Sequence, residues 1–258
     1  MSARTIAIGD IYRVGNHVVA CGDSRDKILV SRALGEERVD LILSDVPYGI
    51  ALVEGKAAFT KGKSKHVPIL NDHLQSDTEF SAFTFAWLDA VSTHMAKKNA
   101  AYVFIADKTL FALRDGMLAA GWKFGQLLFW LKTASSIGRL NYTPMHECIL
   151  YAWRNAHEFY KSNDRSILIY PKPHKNVLHP SAKPVGLLRR LILNSSRRKA
   201  LIYDAFAGSG STAVAAEETG RRSVMIELDP HYCTVCLERL ERCTGEKALL
   251  LSPSRHVR

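Results

Sequence analysis

The sequence predicts an α/β protein built on a doubly wound, seven-stranded and mostly parallel sheet with one antiparallel edge strand. Short β-branched apolar runs alternate with longer helical segments, a pattern typical of βαβ units. Several of these runs are almost continuously apolar, as strands buried on both faces require. The 258 residues are 47% hydrophobic and 23% charged, which is enough to bury a full core and excludes a disordered or low-complexity chain.

The predicted elements follow from these runs and from the helix-boundary residues. Strands are expected at His17–Asp23, Val39–Asp45, Ala100–Asp107, Gly125–Lys132, His146–Arg154, Ala200–Phe206 and Ser223–Leu228. The fourth and fifth strands follow one another without room for a crossover helix, so they should pair antiparallel at one edge. Helices fit Ser24–Gly35, Asp77–Lys98, Lys108–Ala120, Pro184–Ser196, Ser211–Thr219 and Pro230–Cys243.

Two basic stretches, Glu54–Gln75 and Asn155–Pro180, lack this regularity. Both are long for loops inside a compact domain, so binding segments are expected there. Neither an internal repeat nor a linker divides the chain, and a single domain over residues 1–258 is predicted.

The net charge of the chain indicates which classes of partner it can bind. There are 35 Lys+Arg against 25 Asp+Glu, a formal net charge of +10, which favours nucleic acid, an anionic membrane surface or an acidic protein. No apolar run approaches the ~18 residues of a membrane helix, and the stretch from Met1 to Ala20 lacks the apolar centre of a signal peptide. Five irregularly spaced cysteines suit a reducing compartment, so a cytoplasmic location is expected.

A glycine turn, Asp204–Thr212 (DAFAGSGST), follows the sixth predicted strand. Its glycines permit positive φ and close backbone approach, and the helix start after it offers free N–H groups to an anion. Gly208, Gly210 and Ala213 also satisfy a loose G-x-G-x-x-A pattern. Glu227, at the end of the next strand, is placed to accept from the two hydroxyls of a ribose. The pattern alone leaves open a turn without a ligand, or the nucleotide site of a dinucleotide oxidoreductase.

A second candidate site, the DVPY turn (Asp45–Tyr48), follows the second predicted strand. A carboxylate, a proline-stiffened turn and an exposed aromatic ring can together hold a planar, amino-bearing ring by stacking and by accepting its N–H protons. An ordinary β-turn built on Pro47 and Gly49 explains the same residues.

Several segments, taken in order, resemble motifs of the β-class amino-methyltransferases, which modify exocyclic nitrogens of DNA bases with S-adenosylmethionine. The segments are Gly9–Ser24; the DVPY turn, for D-P-P-Y; His179–Pro184 (HPSAKP), for H-P-T-x-K-P; the glycine turn, for D-P-F-x-G-S-G-T-T; and Ile226–Tyr232 (IELDPHY), for I-E-L-D-P-x-Y. The resemblance covers nearly the whole chain. It implies a Rossmann-like methyltransferase fold in permuted order, a prokaryotic or phage-encoded protein, and double-stranded DNA as partner.

The resemblance places S-adenosyl-L-methionine around the glycine turn. It implies that the turn holds the methionine part, Glu227 the ribose hydroxyls and Asp23 the adenine amino group. Ser181 and Lys183 would close the pocket. The implied cofactor-binding residues are Asp23, Asp45, Ser181, Lys183, Asp204, Phe206, Ala207, Gly208, Ser209, Gly210, Ser211, Glu227 and Leu228. Neither a metal nor a covalent intermediate is implied.

The same resemblance makes Asp45, Val46, Pro47 and Tyr48 the catalytic residues. Asp45 and the Val46 carbonyl would accept the two amino protons of a base flipped out of the duplex, and Tyr48 would stack on that base. A leading aspartate is more common in adenine-N6 enzymes, which favours adenine-N6 over cytosine-N4.

Val46 departs from the proline of the family motif. Its carbonyl is retained, and the following Pro47 still biases it to extended backbone, so an active enzyme is expected. A DNA-binding protein of the same fold with impaired catalysis is the alternative. Asn155–Pro180 is short for a target-recognition segment, which leaves open a short recognition sequence, help from Glu54–Gln75, or a homodimer.

Several other residues have competing interpretations. DNA contacts are expected from Lys61, Lys63, Lys65, Lys132, Arg139, Lys172 and Lys175. Trp130 fits the DNA cleft or the core equally well. The clusters Arg189–Arg190 and Arg197–Lys199 favour a solvated helix face. Cys233 and Cys236 form a C-x-x-C without a second pair, which favours core packing over a metal site.

Overall fold

A computed structural model of the chain describes residues 4–48, 76–133, 141–161, 163–171 and 183–252. Its strands are β1 Ile11–Val14, β2 His17–Cys21, β3 Val39–Asp45, β4 Met95–Ile105, β5 Lys123–Leu131, β6 His146–Trp153, β7 Ile167–Ile169, β8 Leu201–Asp204, β9 Arg222–Glu227 and β10 Leu249–Ser252. The α-helices are α1 Lys27–Leu34, α2 Asp77–Val91, α3 Leu110–Ala119, α4 Val185–Ser195, α5 Ser211–Glu218 and α6 Pro230–Thr244. Short 3-10 helices span Ser92–His94 and Asp107–Thr109. Within the described ranges, no helix combines the length and apolar character needed to cross a membrane.

All of these strands join one sheet in the order β10-β1-β2-β9-β8-β3-β4-β6-β5-β7. The central strands β2, β9, β8, β3 and β4 run parallel, which confirms the predicted fold class. From β3 the chain continues to β4 on one side, and from β8 it continues to β9 on the other. The carboxyl ends of β3 and β8 therefore flank the switch point at which open α/β sheets bind ligands.

The sheet has ten strands rather than the predicted seven. The additional strands β1, β7 and β10 are only three or four residues long, too short for a periodic pattern to separate them from loops. β7 lies inside the predicted irregular stretch Asn155–Pro180 and extends the sheet beyond β5.

The antiparallel pairing of β5 with β6 is confirmed, but its place in the sheet differs from the prediction. β6 lies between β4 and β5 and runs antiparallel to both, so it is not an edge strand. A second antiparallel strand, β1, separates β2 from β10.

The helix predicted to reach Lys98 ends earlier, at Val91. Its start matches the prediction because Ser76 and Glu79 form a reciprocal capping box. From Met95 onwards the chain pairs with β3, beginning opposite Val39. Pairing with β3 therefore overrides the helical tendency of the polar residues that open β4.

Helices cover both faces of the sheet, as a doubly wound fold requires. Ile42 of β3 packs on the face that carries α1, α2 and α3, whereas its neighbours Leu41 and Leu43 pack against α4 and α5 on the other face. Cys233 and Cys236 of α6 lie in a third apolar cluster with β1, β2 and β9, which confirms their interpretation as core residues.

The other residues with two interpretations are also resolved. Trp130 is 2% exposed, and its Nε1 donates to the Tyr170 carbonyl at 2.9 Å, which confirms the core interpretation. The predicted arginine clusters lie near the surface in ion pairs with acidic side chains: Arg189 with Glu218, Arg190 with Asp164, and Arg197 with Glu158.

Candidate active site at the switch point of the sheet

The glycine turn and the DVPY turn share one crevice. They follow β8 and β3, which are hydrogen-bonded neighbours. The Ala205 N–H donates to the Ser44 hydroxyl at 3.0 Å and so ties the two strand ends together. Strand-end position predicted this proximity, although the two motifs are far apart in the sequence.

Two residues of the glycine turn require glycine. Gly208 has a φ of +50° and Gly210 a φ of +78°, a region that other residues rarely adopt. A Cβ on Gly210 would also lie 2.5 Å from Cys236 Sγ. Gly210 is the N-cap of α5 and provides no side-chain cap, so the first N–H groups of the helix are available to an anionic ligand.

Glu227 lies beside this turn at the end of β9. Its Oε2 accepts from the Gly208 N–H at 2.7 Å, and its Oε1 accepts from the Asp229 N–H at 2.9 Å. Burial raises the pKa of Glu227 to about 7, above its ordinary value of 4.5. A strand-end carboxylate in this position can accept from a pair of vicinal hydroxyls.

Asp204, Phe206 and Ala207 shape the turn. Asp204 is 2% exposed and accepts from the Phe206 N–H at 3.1 Å, and burial raises its pKa to about 6. The Phe206 ring packs against two rings of α2, with centroids 5.7 Å from Phe83 and 5.5 Å from Trp87. The Ala207 N–H donates to the Ile226 carbonyl on β9.

The remaining cofactor-binding residues predicted at the glycine turn and beside Glu227 are Ser209, Ser211 and Leu228. Arg239 of α6 donates to the Ser209 hydroxyl at 2.9 Å and to the Ser211 hydroxyl at 3.3 Å, so these hydroxyls fasten the turn to α6. Leu228 is partly exposed at the end of β9. Whether these side chains contact a cofactor stays a prediction.

Asp23, expected to accept from an adenine amino group, is held by Arg25. The Arg25 guanidinium donates to both carboxylate oxygens, with Nη2 2.6 Å from Oδ2. Burial alone would raise the pKa of Asp23, but the hydrogen bonds from Arg25 lower it below its ordinary value. Arg25 also lies over the Phe83 ring, 5.5 Å from its centroid. The sequence analysis did not single out Arg25, although its position two residues after Asp23 is a signal for this pair.

At the DVPY turn, the two carboxylate oxygens of Asp45 differ. Lys183 Nζ donates to Oδ2 at 2.5 Å, whereas Oδ1 is buried and has no hydrogen-bond partner among the described residues. Burial raises the pKa of Asp45 above its ordinary value, although the Lys183 ammonium opposes this effect. Oδ1 is therefore a buried acceptor whose hydrogen-bonding capacity no described residue uses.

Tyr48 is fixed at both its hydroxyl and its backbone. The hydroxyl donates to Glu147 Oε2 at 2.8 Å and accepts from Lys183 Nζ at 3.2 Å. Thr109 donates through its Oγ1 to the Tyr48 carbonyl at 3.0 Å. Burial raises the pKa of Tyr48 well above its ordinary value, so the side chain stays a neutral phenol.

Glu147 of β6 was missed by the sequence analysis and joins this site. Its Oε1 accepts from Lys132 at 2.7 Å, and its Oε2 accepts from Lys183 at 3.1 Å. Burial would raise the pKa of Glu147, but the two ammonium groups lower it to about 2. An acidic residue in the otherwise apolar segment HECILYAW is the signal that could have found it.

Lys132 and Lys183 need a revised description. The Lys132 side chain is 8% exposed and paired with Glu147, because the antiparallel β5–β6 pair directs its ammonium to this buried carboxylate. The DNA contact expected for Lys132 stays a prediction. Lys183, expected to close the cofactor pocket, contacts Asp45, Tyr48 and Glu147.

Val46 and Pro47 complete the DVPY turn. Val46 is 2% exposed, and its side chain packs in the apolar cluster that includes α1, α2 and α3. Pro47 is partly exposed. The substitution of valine for the motif proline is thus accommodated by core packing.

Other predicted residues lie outside the described ranges: Lys61, Lys63, Lys65, Arg139, Lys172, Lys175 and Ser181. The roles expected for them stay predictions, as do those of the stretch Glu54–Gln75. In the described part of Asn155–Pro180, Asp164 accepts from Asn194 and Arg190 of α4, which fastens this segment to the fold.

Known proteins resemble this chain in sequence. The model of the N6/N4 methyltransferase family, described as DNA methylase, matches residues 39–238. The type II methyltransferase M2.DpnII of Streptococcus pneumoniae is 26% identical over 225 residues, covering 80% of this chain and 83% of the relative. M2.LlaDCHI of Lactococcus lactis subsp. cremoris is 24% identical over 237 residues, covering 84% and 87%.

Solved structures share the fold. The structure of an M1.HpyAVI–SAM complex aligns with a TM-score of 0.65 and 19% identity, covering 86% of this chain and 98% of that protein. The cytosine-N4-specific PvuII DNA methyltransferase aligns with a TM-score of 0.67 and 14% identity, covering 90% and 92%.

Proposed function

We propose, from the premise that this chain belongs to the DNA methylase family, that it transfers a methyl group from S-adenosyl-L-methionine to the exocyclic N6 of an adenine in double-stranded DNA. The observation that carries the proposal is the buried, unpartnered Oδ1 of Asp45 in a turn that also presents Tyr48. Its named relatives are type II methyltransferases, so we place the protein in restriction-modification.

The DVPY turn acts on the amino group of a base flipped out of the duplex. That nitrogen is a poor nucleophile because its lone pair is delocalised into the ring. Asp45 Oδ1 and the Val46 carbonyl accept its two protons, which favours a pyramidal nitrogen with a directed lone pair. Tyr48 stacks on the ring and fixes its plane. The N–C bond would form as the bond between the methyl group and the sulfonium sulfur breaks, leaving a neutral thioether. The proton lost from the amino group would pass to Asp45 Oδ1, and orientation by the turn would supply much of the rate.

The crevice fits S-adenosylmethionine in the chemistry of its donors and acceptors. This cofactor supplies a methyl group on a positively charged sulfur. Glu227 accepts from its ribose hydroxyls, and the uncapped start of α5 binds its carboxylate. The carboxylates of Asp204 and Glu227 form no ion pair with a described residue, which suits a ligand that carries positive charge.

Adenine is favoured over cytosine because aspartate leads the DVPY turn. Lysines in Glu54–Gln75, among them Lys61, Lys63 and Lys65, are proposed to contact the phosphates of the duplex. In this proposal the net charge of +10 serves DNA binding rather than attraction to a membrane.

Transfer of a labelled methyl group to unmethylated duplex DNA, followed by digestion and identification of the modified nucleoside, tests the proposal. The expected product is N6-methyldeoxyadenosine. N4-methyldeoxycytidine would overturn the assignment of the base. Binding of a nicotinamide dinucleotide without binding of S-adenosylmethionine in calorimetry would support the oxidoreductase alternative. Absence of transfer with intact DNA binding would support the catalytically impaired alternative.

A further inference from the structure

We propose that Glu147 is a positioning residue for methyl transfer, holding the Tyr48 hydroxyl and the Lys183 ammonium so that Asp45 keeps one oxygen free for the target base. The proposal rests on the proposed function of the DVPY turn. Glu147 lies on β6, outside every motif that predicted the function.

The geometry assigns Glu147 a central place. Its two oxygens accept from three donors: Lys132 at 2.7 Å, the Tyr48 hydroxyl at 2.8 Å and Lys183 at 3.1 Å. The Tyr48 side chain depends on this carboxylate as the acceptor for its hydroxyl. Because that hydroxyl is the far end of the ring from the backbone, its hydrogen bond anchors the direction of the ring that would stack on a base.

The charges explain why one oxygen of Asp45 stays free. The contact chain Lys132–Glu147–Lys183–Asp45 holds two ammonium groups and two carboxylates, so its formal charge is zero. Lys183 is shared between Glu147 and Oδ2 of Asp45. Without the Glu147 carboxylate, Asp45 would be the one described carboxylate left to the buried Lys183 ammonium, and both of its oxygens would be drawn to that ammonium.

A double-mutant cycle with Glu147→Gln and Tyr48→Phe tests the inference. Gln keeps the shape of Glu147 without its charge, and Phe keeps the ring of Tyr48 without the hydroxyl. We expect each variant to lower the single-turnover rate of methyl transfer about 10- to 100-fold. Since one variant removes the charge of the acceptor and the other removes the donor of the same contact, the double variant should be within about threefold of the worse single variant. Effects that multiply would overturn the inference.

The pH dependence of the rate provides a readout that a merely structural role would not move. The charge of Glu147 helps to raise the pKa of Asp45. Its loss in Glu147→Gln should therefore lower that pKa and move the acid limb of the rate profile to lower pH. An acid limb that stays in place would count against the inference. Glu147→Asp is the substitute if Glu147→Gln does not fold. It keeps the negative charge but moves the carboxylate one methylene away from the Tyr48 hydroxyl, and it should show the same coupling to Tyr48→Phe.

Two further variants separate the possible failures. Glu37→Gln removes a surface carboxylate that pairs with Arg222, and its rate should stay within about twofold of the wild type. Asp45→Ala tests the proposed function itself. If Asp45→Ala stays active, the proposed function fails. If Asp45→Ala is inactive while Glu147→Gln transfers at the wild-type rate, only the role of Glu147 fails.

Discussion

The DVPY turn and the glycine turn follow neighbouring strands and share one crevice, yet their carboxylates have different partners. At the DVPY turn, Asp45 and Glu147 are paired with Lys183 and Lys132. At the glycine turn, Glu227 accepts only from backbone N–H groups among its described hydrogen bonds. Two ammonium groups lower the pKa of Glu147 to about 2, whereas burial raises the pKa of Glu227 to about 7. Burial also raises the pKa of Asp45, which has one ammonium partner among the described residues to oppose it.

This difference indicates which kind of ligand group each turn can bind. A half-buried carboxylate without a cation is costly, and a ligand that brings positive charge or hydroxyl donors relieves that cost. A charge-balanced pocket is suited instead to a neutral group such as the amino group of a base. Under the proposed function, the glycine turn would thus bind the cationic methyl donor and the DVPY turn the neutral acceptor.

Asp45→Ala should give the largest effect that this comparison predicts. Loss of the acceptor Oδ1 should lower the rate of methyl transfer about 10³-fold, a magnitude typical of removing a group that stabilises a transition state. The affinity for S-adenosylmethionine should stay within a few-fold of the wild type, because the cofactor side is untouched. Single-turnover kinetics and calorimetry measure the two quantities. Normal turnover by this variant would refute the role of Asp45.

Glu227→Ala should show the reverse pattern. Loss of the two hydrogen bonds to this carboxylate, each contributing about 1.5–3 kcal/mol, should weaken S-adenosylmethionine binding by about 100-fold or more. The rate at saturating cofactor should change much less, because the DVPY turn is intact. A variant that binds the cofactor normally but transfers slowly would contradict the division between the two sides.

Gly210→Ala should destabilise the fold through the glycine turn. A left-handed φ costs a non-glycine residue about 1–2 kcal/mol, and the new Cβ would also lie 2.5 Å from Cys236 Sγ. Gly245→Ala is a matched control, because Gly245 has a φ of +75° with nothing within 4 Å of a Cβ. Gly210→Ala should therefore unfold at lower denaturant than Gly245→Ala, and Cys236→Ala should restore part of the difference. Equal destabilisation by the two glycine variants would show that the close approach of the new Cβ to Cys236 does not contribute.

The pH dependence of the free energy of unfolding should reveal the raised pKa of Glu227, which forms no ion pair with a described residue. Its folded-state pKa of about 7 lies above the ordinary 4.5, so its stabilising contribution is complete below about pH 4.5 and is lost as the pH rises through 7. This difference corresponds to about 3 kcal/mol for a fully buried group, and partial exposure should reduce it to about 1–2 kcal/mol. The unfolding free energy of the cofactor-free wild type, relative to Glu227→Gln, should fall by this amount between pH 4.5 and 8. A constant difference would show that Glu227 is not perturbed.

Local sequence patterns predicted both turns because the residues of each turn are consecutive in the sequence. The glycine turn, the DVPY turn and Glu227 were found at strand ends, and βα alternation placed those ends at one edge of the sheet. The bounds of β3 agree with the prediction, because an apolar strand that is buried on both faces leaves a clear pattern.

The charge network could not be predicted in the same way. Lys132, Glu147 and Lys183 come from separate parts of the chain and meet only through the β5–β6 pair and the segment before α4. A lysine at the end of a predicted strand is ordinarily exposed, which favours a DNA contact for Lys132. The sequence does not reveal its partner across the strand pair, Glu147.

Single-molecule modification mapping of genomic DNA methylated by the wild-type protein and by Asp45→Ala tests the central claim most directly. It reports the modified base, its position and its sequence context together. We expect N6-methyladenine in one sequence context with the wild type and its absence with Asp45→Ala. N4-methylcytosine from the wild type, or N6-methyladenine that persists with Asp45→Ala, would refute adenine methylation by the DVPY turn.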